Sequence, residues 1–170
     1  MADMQSTLLV RDLMTVGVET CTPEITAIEL ARRFLVEGLE EIVVLEEGNA
    51  LGVIGRDELV KAYLRENYST LTGREIMREG VPQVPPDIPL RAAAQVMLDM
   101  KVRALYLMHH AGGIEYPAAV ITYWHLLRHL QAQREDDLRD LGIHAERQSP
   151  VQTFIQRRDA VRQANLSKQK

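Results

Sequence analysis

The sequence predicts a mixed α/β (α+β) fold: two β-α-β-β-α repeats packed with pseudo-twofold symmetry, plus a C-terminal helical tail. Three observations carry this. The chain repeats itself at an offset of 63, where Arg11-Asp12-Leu13-Met14 returns as Arg74-Glu75-Ile76-Met77, Pro23-Glu24-Ile25 as Pro86-Asp87-Ile88, and Ala31 and Phe34 as Ala94 and Met97. Each copy then runs through the same order of period-2 and period-3.6 apolar patterns. A unit of about sixty residues is also too small to bury both faces of its sheet alone, so two copies must pack together.

In the first copy, Val18 to Thr22 alternates and stops at Pro23, which predicts a short strand. Ile25, Ile28, Leu30, Ala31, Phe34 and Leu35 follow at helical spacing, with Gly38 as the stop signal. Ile42 to Leu45 and Leu51 to Ile54 are β-branched runs flanking Glu46-Glu47-Gly48-Asn49, a hairpin signal. After Gly55, residues Leu59, Val60, Tyr63 and Leu64 predict a second helix. The second copy predicts a strand near Val84, a helix over Leu90 to Met100, strands over Ala104 to Met108 and Ala118 to Thr122, and a helix from Trp124. Past the hairpin the offset becomes 67, aligning Val53-Ile54 with Val120-Ile121 and Leu59 with Leu126. The four inserted residues are assigned to a longer turn containing Gly112-Gly113, since turns tolerate insertions. The implied divisions are a lead at 1–9, repeats at 10–68 and 69–133, and a tail at 134–170.

Composition narrows the function classes. With 46% hydrophobic and 26% charged residues the chain is globular, and it shows neither an apolar run of membrane-spanning length nor a signal-peptide pattern, so a cytoplasmic protein without a membrane partner is expected. A lone Cys21 makes neither a disulfide nor a zinc site and reads as a buried apolar residue. The net charge of −4 argues against nucleic-acid binding, although residues 149–170 carry five basic groups against one acidic. His109-His110 cannot chelate well, because neighbours on a strand face opposite ways. Neither a Ser/His/Asp arrangement nor a phosphate-binding loop is present, so no enzyme is expected.

The ordered motifs resemble the cystathionine-β-synthase (CBS) domain family in its tandem form. They are Asp12-Leu13-Met14-Thr15, Thr20 to Pro23, and Gly52-Val53-Ile54-Gly55-Arg56-Asp57-Glu58-Leu59. In the second copy they are Glu75-Ile76-Met77, Gln83 to Pro86, and Ala119-Val120-Ile121-Thr122-Tyr123-Trp124-His125-Leu126. The resemblance implies a regulatory or sensor module that binds AMP, ADP, ATP or S-adenosylmethionine in clefts between repeats, with no obligatory cofactor, and a homodimer. It also implies binding positions: Thr20, Gly55 and Glu58 in copy one, and Gln83, Thr122, Tyr123 and His125 in copy two. Gly55 stands where the family has Thr, and Glu58 and His125 stand where it has Asp.

Physical chemistry then separates the two sites. A helix N-terminus can hold an anion through its unpaired N–H groups. In copy one, Asp57 and Glu58 compete for those groups, so that site should prefer a neutral or cationic ligand, or none. In copy two, Thr122 is read as an N-cap and hydrogen-bond donor and His125 as a group that can be cationic, so phosphate should be tolerated. Residues 10–63 hold 5 basic and 11 acidic groups, and residues 74–130 hold 6 and 5, which points the same way. Thr122 as a cap alone, and charges that merely solvate helix faces, are the competing readings. Tyr123 and Trp124 either stack on a purine or pack in the core, the latter favoured.

Beyond Leu130 a polar helix extension is predicted through Leu141, and Ser149-Pro150-Val151-Gln152 opens a second amphipathic helix carrying Val151, Phe154, Ile155 and Val161. Docking of this tail within a homodimer is the favoured reading. The alternatives to a nucleotide sensor are a ligand-free dimerisation or interaction scaffold, and binding of an unknown protein target or nucleic acid through the basic tail.

Overall fold

The computed structural model describes residues 8–143. Seven strands and five helices follow in the order β1 (Thr15–Val16), β2 (Thr20–Cys21), α1 (Ala27–Glu37), β3 (Glu41–Glu46), β4 (Asn49–Gly55), α2 (Arg56–Tyr63), α3 (Gly73–Ile76), β5 (Arg78–Glu79), α4 (Leu90–Met100), β6 (Ala104–Ala111), β7 (Ile114–Thr122) and α5 (Tyr123–Gln131). The repeat is reproduced in three dimensions: β1 and β5 start 63 residues apart, as do α1 and α4, while α2 and α5 start 67 apart.

Two sheets form, ordered β2-β3-β4-β5 and β1-β7-β6. Each lead strand crosses to the other repeat's sheet, since β1 pairs with β7 (Thr15 opposite Val120) and β5 with β4 (Arg78 opposite Val53). The crossing depends on Gly52, where a Cβ would lie 2.3 Å from the Arg78 carbonyl oxygen.

Alternation along the strands builds a layered core. On β3, Ile42 and Val44 pack with Leu30 and Phe34 of α1, while Val43 between them joins Val53, Ala104 and Tyr106 where the two sheets meet. In the other half, Leu90, Ala93 and Met97 of α4 cover Leu105 and Ile121 together with Val10, Leu13 and Met14. Helix α1 starts at Thr26, whose side chain accepts from Glu29 N–H, and ends at Gly38 in the left-handed conformation. Cys21 is buried as expected, and burial pushes its thiol up to about 11.

Four expectations need correction. The insertion does not lengthen a turn: both hairpins close through two residues, Glu47-Gly48 and Gly112-Gly113, and each strand of the second hairpin is instead two residues longer than its counterpart. No strand forms around Val84, where Gln83 makes only an isolated bridge to Tyr106, because Pro82, Pro85 and Pro86 supply no N–H to a ladder. The first strand shrinks to Thr20–Cys21. The last helix ends at Gln131 and does not run to Leu141; a 3-10 turn at Glu135–Leu138 reverses the chain.

The reversed segment is a strap. Arg128 holds both carboxylate oxygens of Asp140 at 2.8 Å, Leu141 is buried, and Gly142 and Ile143 donate to the Met14 and Arg11 carbonyls. Gly142 has φ +95°, and a Cβ there would sit 2.7 Å from the Asp12 carbonyl oxygen, so close approach and conformation both demand glycine. The helix expected over 149–165 lies outside the described residues. Among the described residues, no helix is long and apolar enough to cross a membrane.

Candidate functional site

The repeat makes two strand-to-helix junctions comparable position by position: Gly55 opens α2 and Thr122 opens α5. Strand exchange brings a residue from the opposite repeat's lead strand to each junction. Arg78 of β5 arrives at α2, and Thr15 of β1 arrives at α5.

At the α2 junction, Glu58 folds back so that its Oε2 accepts from Gly55 N–H at 3.0 Å. Its other oxygen lies 3.4 Å from Lys61 Nζ and 3.8 Å from Arg78. Arg78 also donates to Glu41 at 3.3 Å, and Glu41 accepts from the Tyr106 hydroxyl at 2.9 Å. The Glu41 and Glu58 side chains are 6% and 7% exposed. Burial raises the Glu41 carboxyl above its ordinary range, and burial beside that carboxylate raises the Tyr106 phenol. Asp57 pairs with Arg103, and Arg56 with Glu40. The cavity these groups enclose has about 20 Å³, so this junction is filled by its own ion pairs.

At the α5 junction the residues matching Arg78 and Glu58 are Thr15 and His125, and the nearby charge is that of Arg128. His125 folds back as Glu58 does, and its Nδ1 accepts from Thr122 N–H at 3.0 Å. The ring's Nε2 lies 2.8 Å from Thr15 Oγ1, and Thr122 Oγ1 lies 2.9 Å from Nδ1. His125 is only 4% exposed, and burial, with Arg128 nearby, lowers its pKa to about 4. The reading of His125 as a cation is therefore corrected: desolvation disfavours the charged ring and a backbone N–H occupies the nitrogen that would have to be protonated. Thr122 is the N-cap as expected, and its Oγ1 sits beside the same Nδ1 whose single lone pair takes the Thr122 N–H.

The other expected residues are distributed more widely. Thr20 lies half-buried on β2 opposite Val43, and its carbonyl accepts from Arg33 at 3.1 Å. Gln83 is exposed and donates to Glu115 at 2.7 Å near the second hairpin. Tyr123 packs half-buried against the α4 core. Trp124 contradicts the core reading: it is 50% exposed, with its ring edge-on to His125 and the Arg128 guanidinium 4.9 Å from its centroid. His109 stacks on Tyr116 and His110 pairs with Glu115, so the two histidines do separate as their strand position requires. Residue-by-residue reading missed Thr15, Glu41, Arg78 and Tyr106. The 63-residue offset does align Thr15 with Arg78, but only the strand exchange reveals which helix each one serves.

Comparison with known proteins agrees with this architecture. The family model described as CBS domain matches residues 10–65 and 74–132. No curated protein matches. Among solved structures, the CBS domain pair of protein MJ0100, in complex with 5′-methylthioadenosine and S-adenosyl-L-methionine, is 19% identical with a TM-score of 0.63, covering 72% of this chain and 99% of that one. An uncharacterized conserved protein from Pyrococcus horikoshii is 16% identical with a TM-score of 0.65, covering 78% and 98%. The CBS-domain containing protein ATU1752 from Agrobacterium tumefaciens is 19% identical with a TM-score of 0.59, covering 68% and 90%. At these identities the likeness concerns the fold, while the two profile matches take in most of the chain: the protein belongs to the CBS domain family as a tandem pair.

Proposed function

We propose that the chain is a non-catalytic regulatory module that takes one adenosine-containing ligand at the α5 junction, with the α2 junction closed by its own side chains. The observation that carries this reading is the contrast between pseudo-equivalent positions. Arg78, Glu41 and Glu58 form a charged network around a cavity of about 20 Å³, whereas Thr15, Ala104 and His125 occupy the matching places without formal charge. An incoming phosphate at α2 would also meet a carboxylate already seated on the Gly55 N–H, whereas the group seated on the matching Thr122 N–H at α5 is an imidazole without negative charge. Adenosine compounds enter as the ligand class because of the family and because the MJ0100 pair holds two of them.

The test is calorimetry on the full chain with AMP, ATP and S-adenosylmethionine. One site per chain, weakened by Thr122→Val and indifferent to Glu58→Gln, is expected. Loss on Glu58→Gln with Thr122→Val unchanged would reverse the assignment. A thermal-shift screen is a sensitive first step, since a ligand at 100 times its Kd adds about 2.7 kcal/mol of stability.

A second reading, dimerisation, is favoured by a separate observation. Leu35 and Val36 of α1, Val60 and Tyr63 of α2, and Leu127 and Leu130 of α5 are all exposed, Leu35 at 86% and Leu130 at 80%. Apolar side chains spread over helices of both repeats make a surface that a second copy would cover. A homodimer is compatible with ligand binding, and without ligand it would act as the scaffold.

A further inference from the structure

The hydrogen-bond polarity at the α5 junction is determined along a chain of three residues. Thr122 N–H points at His125 Nδ1, so that nitrogen carries a lone pair and the neutral ring bears its proton on Nε2. The Nε2–H then donates to Thr15 Oγ1, which is the acceptor in that 2.8 Å contact. Among the described residues the Thr15 hydroxyl has no other partner, and Thr15 is exposed, so its own proton faces outward. Thr122 Oγ1 lies beside Nδ1, whose single lone pair already takes the Thr122 N–H, and keeps its own lone pairs as acceptors. A carboxylate at position 125 would produce the opposite arrangement, drawing the Thr15 proton inward.

Resting on the reading that an adenosine compound binds here, we propose that Thr15 sets the specificity of the α5 site by donating its hydroxyl to an oxyanion of the ligand, with His125 positioning it. Thr122 then accepts from a ligand hydroxyl. The shared chemistry is an anionic oxygen, supplied either by a 5′-phosphate or by the carboxylate of an amino-acid substituent. Thr15 is the residue that touches the ligand, and His125 acts through it.

The experiment compares AMP, S-adenosylmethionine and 5′-methylthioadenosine by calorimetry on the full chain. The first two carry the two kinds of oxyanion, and the third keeps the adenosine without either. Thr15→Val should weaken whichever oxyanion-bearing compound binds by about tenfold or more, since hydrogen bonds to charged groups are the stronger ones. It should leave methylthioadenosine within about twofold, and Thr15→Ser should restore the loss. His125→Asp should also lose oxyanion affinity, because it turns the Thr15 proton inward. Equal weakening of all three by Thr15→Val, unchanged oxyanion binding in that variant, or wild-type binding of methylthioadenosine alone overturns the proposal while the site itself stands. Binding of none of the three at millimolar concentration removes the site and the proposal together. A measurement without ligand tests the polarity directly: long-range ¹H–¹⁵N spectra, with His125→Asn for assignment, should show the Nε2–H tautomer, and an Nδ1–H ring refutes it.

Discussion

Arg78→Ala tests the claim that the α2 junction is held shut by its ion pairs. Arg78 stands 3.3 Å from Glu41 and 3.8 Å from Glu58, and both carboxylates are almost wholly buried. At an effective dielectric of about 20, each such pair attracts by about 4–5 kcal/mol. The guanidinium is 37% exposed, so solvent screening removes a good part of that attraction. Tyr106 also continues to hold Glu41 after the change. About 2–3 kcal/mol of lost stability is left, much of it the penalty of a buried carboxylate deprived of its partner. For a chain of this length the melting temperature should fall by about 5–10 °C. The deficit must depend on pH. Glu41 already has a raised folded pKa, which removing Arg78 raises further. A carboxyl with a raised folded pKa stabilises the protein fully below its ordinary value and loses that contribution as pH rises through the raised one. The variant should therefore be weakest relative to wild type at neutral pH and recover toward about pH 5. Calorimetric melts of both proteins at about pH 7.5 and about pH 5 decide the matter. A drop below about 2 °C, or a deficit that does not shrink on acidification, refutes the account.

His125 should give the opposite pH signature, because its folded pKa is depressed to about 4 from an ordinary 6.5. Its contribution is complete above the ordinary value and is lost as pH falls toward about 4, amounting to about 3 kcal/mol by linkage; melts of His125→Gln should show a flatter acid limb than wild type. The exposed helix faces make the other prediction. Leu35→Asp combined with Leu130→Asp should convert a two-chain species to a single chain in light scattering at micromolar concentration, and a wild type already monomeric there would count against the dimer.

Much of the architecture was legible in one dimension because its causes are local or periodic. The 63-residue offset, the helix over Leu90–Met100 and the turn at Glu47-Gly48 follow from repeat register, apolar spacing and turn chemistry. The two helix-opening positions, Gly55 with Glu58 and Thr122 with His125, were equally visible, because a capping contact spans three residues. Only the tertiary structure decided what those positions do. The exchange of β1 and β5 between sheets is a long-range pairing of two-residue strands that no local pattern encodes, and it is what delivers Thr15 to one junction and Arg78 to the other. The state of His125 was likewise beyond the sequence: histidine titrates near neutrality in water, and burial beneath Thr15 makes this one a fixed neutral relay.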